Sequence, residues 1–246
     1  MSNIETALKE ADYITVAMAR AIQDEERVFH GVASPMPAVA IQLAKQLHAK
    51  HAVYVNIPGG VDSTPKSYSN FTTCDASLTE GSIVSFGLAD IFDLSARGAL
   101  DVAFLSGAQI DEYGRLNLSA IGSFEKPKVR LPGGAGSAAL LPTVKRGILW
   151  KTKHDKYSLV DELDIVTAAG NTDLVITPLG IFKRSDEDGK LKLYATFPYS
   201  SVEEIEEKTG FAVVKHNEFQ EFPPITDEEA GLLETIDAGG LRYSEF

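Results

Sequence analysis

The sequence predicts an α/β fold, a mainly parallel open sheet with helices on both faces, built as a single domain over residues 1–246. Three observations predict it. Short apolar runs of strand character alternate with segments whose apolar residues recur at helical spacing. The first of these junctions, from the Arg27 to Val32 run through Gly31 to Ser34-Pro35, reads as a strand, a turn and a helix start, which is the repeating unit of parallel sheets. A chain of 246 residues with 44% hydrophobic and 24% charged residues is long enough to bury a substantial core.

In order, Ile4, Leu8, Ala11, Thr15, Met18 and Ile22 line one face of an amphipathic first helix. Arg27 to Val32 is a short strand. Ser34-Pro35 opens a second helix, serine as the cap and proline at the first helical position, with Met36, Ala40, Leu43 and Leu47 inward. Ala52 to Ile57 is the next strand, ended by Pro58-Gly59-Gly60. In such a sheet the carboxyl ends of strands face the ligand crevice, which places Asn56 well and leaves Gly31 and Ser34 open to either a binding or a structural role.

Val61 to Thr79 is polar and aperiodic, a long loop that holds Cys74, and Ser77 with Glu80 has the form of a helix cap. Phe86 to Ala96 reads as a helix and Asp101 to Leu105 as a strand. Ala108 to Leu118 alternates around Tyr113-Gly114 like a hairpin, with Gln109, Asp111 and Asn117 either holding it together or facing a ligand. Leu131 to Leu141 reads Leu-Pro-Gly-Gly-Ala-Gly-Ser-Ala-Ala-Leu-Leu, a glycine-rich loop feeding an apolar helix. Such a loop either turns the chain or offers its NH groups to a phosphate or an oxyanion. Val144 to Trp150, Asp164 to Val166 and Leu174 to Thr177 follow as strands. Leu191 to Phe197 returns from a turn at Asp186 to Lys190 as a hairpin at the sheet edge. Ser201 with Glu204, and Thr226 with Glu229, open two short polar helices, and the carboxylates of Glu203 to Glu207 form a solvated face.

The formal charge of −12 argues against a nucleic-acid partner, which needs a basic stripe. One cysteine excludes an intrachain disulfide framework and fits a reducing compartment. No stretch approaches the ~20 apolar residues that span a bilayer, and no apolar signal core stands at the N-terminus, so the expectation is a cytoplasmic protein with no membrane partner. The five histidines lack ligand spacing and cysteine companions, so no metal site is expected.

The run from Asp101 through Gly107-Ala108-Gln109, Asp111-Glu112-Tyr113-Gly114 and Asn117, followed by Lys128-Val-Arg-Leu-Pro-Gly-Gly-Ala-Gly, resembles the glutaconate CoA-transferase β-subunit type of class I CoA-transferases. The resemblance covers most of the chain and is strongest from Asp101 to Leu141. It implies a CoA-transferase-like sheet and a homologous α subunit as partner, in an α2β2 heterotetramer with the acyl-CoA site between subunits. It implies no cofactor beyond coenzyme A as part of the substrate.

Transferases of this class place at the end of the second strand a glutamate that attacks the thioester. Here that position is Asn56, and an amide is a poor nucleophile. A decarboxylase branch of the family, acting on 3-methylglutaconyl-CoA, carries a cysteine there. The resemblance therefore makes Asn56 the position of the family nucleophile; beside it Gly134, Ala135 and Gly136 are the candidate catalytic backbone, and Gly31, Ser34, Gly107, Gln109 and Ser137 the candidate substrate contacts. Lys126, Lys128 and Arg130 either face water or reach the phosphates of CoA.

The implied reaction is decarboxylation of 3-methylglutaconyl-CoA to 3,3-dimethylacrylyl-CoA through a dienolate held by the glycine loop. The alternatives are a CoA-transferase or CoA-thioester ring hydrolase whose glutamate lies on the α subunit, or a non-catalytic acyl-CoA-binding subunit.

Overall fold

The computed structural model describes residues 3–32, 34–65, 72 and 74–246, with side chains in the first helix from residue 9 onward. Much of the predicted polar loop therefore lies outside the described residues, as do the side chains of Ile4 and Leu8. The chain divides into two compact units, one of Met1–Phe104, Thr143–Lys145 and Ile225–Phe246, the other of Leu105–Pro142 and Arg146–Pro224.

The first unit opens with α1 (Asn3–Ala21), β1 (Arg27–His30), α2 (Pro35–Leu47) and β2 (Val53–Val55). Ala11, Thr15, Met18 and Ile22 of the predicted inward face are all at most 1% exposed, but Tyr13, Ile14, Val16, Ala17 and Ala19 are buried too, so from residue 13 to 19 α1 is buried nearly all round rather than along one stripe. Nine residues of α2 are buried, which fits a helix that is apolar almost all round. Pro35 stands in the first turn of α2 as expected, but Ser34 does not cap it by its side chain. Its hydroxyl instead donates to Val32 O at 3.2 Å. Then come β3 (Gly60–Val61), β4 (Val84–Ser85), α3 (Leu88–Ala96) and β5 (Val102–Leu105). In this unit the strand order is β5-β1-β2-β3-β4, with β1 parallel to both β5 and β2, and β3 and β4 antiparallel. The predicted cap at Ser77 belongs instead to Asp75, whose carboxylate accepts from Ser77 N and starts a 3₁₀ turn over Ala76–Thr79.

The second unit contains β6 (Gln109–Asp111), β7 (Leu116–Asn117), β8 (Ala120–Gly122), β9 (Pro127–Arg130), α4 (Ser137–Leu140), β10 (Arg146–Trp150) and β11 (Leu159–Val160). It continues with β12 (Thr172–Ile176), β13 (Gly180–Arg184), β14 (Leu191–Thr196), α5 (Val202–Lys208) and β15 (Lys215–Glu221). Its main strands run β10-β12-β13-β14-β15, parallel at β10/β12 and β14/β15 and antiparallel between. The predicted β6/β7 hairpin forms and is joined by β11, while β8 and β9 make a ribbon of their own. The α/β architecture stands as a large mixed sheet in which antiparallel strands accompany the parallel ones.

Two expectations change here. Asp164 to Val166 is not a strand; the buried pair Leu159–Val160 upstream pairs with β6 instead. The β13/β14 hairpin is not at the edge, because β15 lies outside β14. β15 reads Lys-His-Asn-Glu-Phe-Gln-Glu and is mostly exposed, so it lacks the apolar alternation that marks a half-buried strand and has the charges of a protected edge. The chain then returns to the first unit with α6 (Asp227–Ile236), whose Thr226/Glu229 capping box is complete. Among the described residues no helix is long and apolar enough to cross a membrane.

Candidate active site

In the first unit the strand-end turn is built around Asn56, which is fully buried. Its Oδ1 accepts from Gly60 N at 2.8 Å, and its Nδ2 donates to Leu78 O at 2.9 Å and Ser63 Oγ at 3.0 Å. The main chain closes the same turn, Gly59 N to Asn56 O and Asn56 N to Gly60 O, both at 3.1 Å. Two amide protons and one acceptor are thus used within the chain. Gly59 has φ +96°, and a Cβ there would sit 2.1 Å from Phe86 O, so the turn requires glycine twice over. A Cβ on Gly60 would press within 2.9 Å of the Asn56 amide.

Behind the turn lies a polar pair that periodicity did not reveal. His30 is fully buried and stacks on Tyr54, with ring centroids 5.5 Å apart. Its Nδ1 lies 3.1 Å from Gly31 O, which can only accept, so Nδ1 carries the proton and Nε2 accepts from the Tyr54 hydroxyl at 2.7 Å. Burial pushes the His30 pKa down to about 4, in keeping with this neutral tautomer. Asp62 accepts from Tyr54 N at 2.9 Å and from Lys45 Nζ at 2.8 Å, fixing β2 from its other side. Gly31 follows His30 and donates to Phe104 O, and Ser34 is buried one turn further on.

In the second unit, Gly107 and Gln109 belong to a well-braced segment. Lys151 Nζ donates to Gly107 O at 2.7 Å and Ala108 O at 3.1 Å, and burial lowers the lysine pKa to about 8. Gln109 accepts from Asn117 Nδ2 at 2.7 Å and donates to Asp164 at 3.2 Å. Buried Asp111 accepts from Tyr113 N and Arg115 N and pairs with the Arg115 guanidinium at 2.6 Å. These polar groups hold the hairpin together. Lys151 was not singled out from sequence; the available signal was a lone cation ending the apolar run Gly147 to Trp150.

The glycine loop follows. Gly133 has φ +97° and donates to Leu118 O at 2.8 Å. Ser137 N turns back to Gly134 O at 2.7 Å, which occupies the Ser137 NH inside the loop. The NH groups of Gly134, Ala135 and Gly136 find no acceptor among the described residues. Ala135 has φ +42°, unusual for a residue with a Cβ, and Gly136 is right-handed. That alternation is the backbone form that gathers successive NH groups into an anion-binding nest. The helix after it is shorter than predicted. α4 spans four residues and buries only Ser137 and Leu140, so its dipole adds little and the NH groups act singly. Gly134 is also pinned, since a Cβ would meet Thr167 Cγ2 at 2.9 Å, and Thr167 Oγ1 holds Leu118 N and Ser119 Oγ. Cys74 is exposed.

The family model for coenzyme A transferase matches residues 11–208. The B subunit of the 3-oxoadipate CoA-transferase of Pseudomonas knackmussii is 26% identical over 244 residues, covering 92% of each chain. The B subunit of the glutaconate CoA-transferase of Acidaminococcus fermentans is 26% identical over 220 residues, covering 80% of each. A crystal structure of the decarboxylase AibA/AibB superposes with a TM-score of 0.88 at 29% identity, covering 96% of this chain and 98% of that one. That decarboxylase has also been solved with one cysteine replaced by valine, asparagine, serine or alanine.

Proposed function

The chain belongs to the coenzyme A transferase family, and from that premise we propose that it is the β subunit of a two-subunit acyl-CoA decarboxylase whose substrate is 3-methylglutaconyl-CoA. The observation that carries the reading is the state of residue 56. Where transferases of the family keep a glutamate nucleophile, this chain has a buried amide whose donors and acceptor are all used by Ser63, Leu78 and Gly60. No attack on a thioester can start from it. The subunit contributes donors instead, the three open NH groups of Gly134, Ala135 and Gly136.

Those donors suit a reaction in which negative charge builds on a thioester oxygen. The carbon–carboxylate bond breaks, CO2 leaves, and the electron pair moves through the conjugated double bond onto that oxygen as a dienolate. A proton from water added at the γ carbon, the one that lost CO2, completes 3,3-dimethylacrylyl-CoA. An aligned oxyanion donor is worth about 3 kcal/mol, or 10²–10³ in kcat. A carboxylate at position 56 would divert the acyl group into CoA transfer, so its replacement by an amide favours the lyase. Asn56 then acts as a positioning residue that shapes the turn.

The relatives that are B subunits of CoA-transferases, and the two-part name AibA/AibB, support a homologous α subunit as the partner that completes the site. The test is to co-express the chain with that partner and follow 3-methylglutaconyl-CoA by mass spectrometry. Loss of CO2 with the thioester intact is the expected result. Transfer of CoA to an added free acid, or release of free CoA, would assign the chemistry to a glutamate on the partner and overturn the decarboxylase reading.

A further inference from the structure

The β8–β9 ribbon is not used by the reaction above, yet its chemistry is distinct from the rest of the chain. It is a sheet of two strands only, pairing Ala120 with Arg130, Ile121 with Val129 and Gly122 with Pro127. Residues 123–130 are all exposed, including the large apolar side chains of Phe124, at 66%, and Val129. In a protein with a formal charge of −12, this segment carries Lys126, Lys128 and Arg130 against one carboxylate, Glu125. None of the three cations forms an ion pair among the described residues. Lys128 and Arg130 stand two apart on β9 and share a face by the strand period, and Lys126 lies at the ribbon's turn. The Arg130 guanidinium sits 5.7 Å from the Phe124 ring centroid. With the residue 66% exposed, that contact leaves ring surface open for stacking.

The ribbon leads directly into the glycine loop. Leu131 N donates to Ser119 O and Gly133 N to Leu118 O, so the strand pairing runs on to the first glycine. At about 3.3 Å per extended residue, Arg130 and Lys128 lie at most about 13 and 20 Å from Gly134. One extended ligand can therefore place its carbonyl at the loop and a polyanionic end at the ribbon. Resting on the acyl-CoA reading, we propose that this ribbon seats the 3′-phospho-ADP end of CoA, with Lys126, Lys128 and Arg130 contacting its phosphates and Phe124 stacking on the adenine. Unpaired cations on an acidic protein attract such an anion, and an exposed aromatic face gives the base a surface at low conformational cost.

The test uses the assembled two-subunit protein and isothermal titration with CoA and with pantetheine, which lacks the nucleotide. The triple variant Lys126→Ala/Lys128→Ala/Arg130→Ala should weaken CoA about tenfold, the product of three exposed charge contacts, and leave pantetheine affinity unchanged. The charge-keeping set Lys126→Arg/Lys128→Arg/Arg130→Lys should retain CoA binding. Single Lys128→Ala and Phe124→Ala variants, each on an exposed residue, should weaken CoA severalfold and guard against misfolding of the triple variant. Unchanged CoA affinity in these variants, or a parallel loss of pantetheine, overturns the proposal and leaves the acyl-CoA reading standing. Loss of the partner subunit from the single variants would make the ribbon a protein-docking element and would also overturn it. Failure of the wild-type complex to bind CoA overturns both.

Discussion

Replacing Asn56 by aspartate keeps the shape of the side chain and changes one atom's role. The retained oxygen can still accept from Gly60 N, and the Ser63 hydroxyl can turn to donate. The new oxygen faces Leu78 O across a contact of 2.9 Å that has no proton to share. One buried carbonyl then loses its partner, a loss of about 1–3 kcal/mol, and a charge is buried without a cation beside it. Asn56→Asp should therefore cost about 3–4 kcal/mol at pH 8. Burial raises the pKa of the new carboxyl above its unfolded value, so the penalty is full above the folded pKa. It fades as pH falls through that value, because the protonated acid can donate to Leu78 O. Asn56→Ala leaves Gly60 N and Leu78 O both unpaired and should cost about 2–4 kcal/mol at every pH. Urea unfolding of both variants and wild type at pH 5 to 8 measures this, and titrations common to all three proteins cancel in the differences. If Asn56→Asp costs under about 0.5 kcal/mol, or its cost does not change with pH, the side chain is solvated and its role as the fastener of the turn is wrong.

Three other outcomes are expected. His30 and His154 are both buried and neutral, with pKa pushed down to about 4 from 6.5 by burial, so their contribution is complete above pH 6.5 and declines as pH falls toward 4. Each should cost about 2 kcal/mol by pH 5, read as the difference in urea stability between wild type and a His30→Gln/His154→Gln variant from pH 7.5 to 5, in which the opposing contribution of Glu245, raised to about 8 by burial, cancels; a difference that does not change with pH would contradict both assignments. Gly136 has φ −81°, within reach of the proline ring, so Gly136→Pro removes one NH, and its ring also disfavours the φ +42° conformation of Ala135 before it. The assembled enzyme should lose 10²–10³ in kcat while the subunits still copurify; lost assembly with no specific kinetic effect would make the loop a turn only. Arg242→Met strands the carboxylate of Asp237, whose side chain is 1% exposed, and should cost about 3–5 kcal/mol in chemical denaturation. Asp237 also accepts from Leu241 N at 2.7 Å, so Arg242→Met/Asp237→Asn, which removes the stranded charge and keeps an acceptor there, should recover part of that loss, and no recovery would place the effect in packing instead.

What the sequence made legible was local. The helical run of α1, the proline start of α2, the hairpin around Tyr113-Gly114 and the box at Thr226 and Glu229 each depend on residues a few positions apart, and each formed. β15 was missed because a polar edge strand has no buried face to leave a period. The same limit governs the site. That residue 56 ends a strand could be read from Ala52 to Gly60, but that its amide is used up depends on Leu78, 22 positions away in a stretch without periodicity. The His30–Tyr54 pair, 24 apart, and the reach of Lys151 back to Gly107, 44 apart, were hidden for the same reason.

This difference bears on the chemistry. A reading by position alone makes Asn56 a degraded nucleophile, and simple restoration of a reactive side chain then looks sufficient. The hydrogen bonds argue otherwise, because any residue placed at 56 inherits a buried carbonyl and a buried NH that need partners before it can face a substrate. Glutamate has no proton to give Leu78 O at neutral pH, and cysteine offers a weak one. Either replacement must first rebuild the turn. Position 56 is committed to structure, whereas the NH groups of Gly134, Ala135 and Gly136, with no acceptor among the described residues, can stabilise an anion and cannot attack a carbonyl.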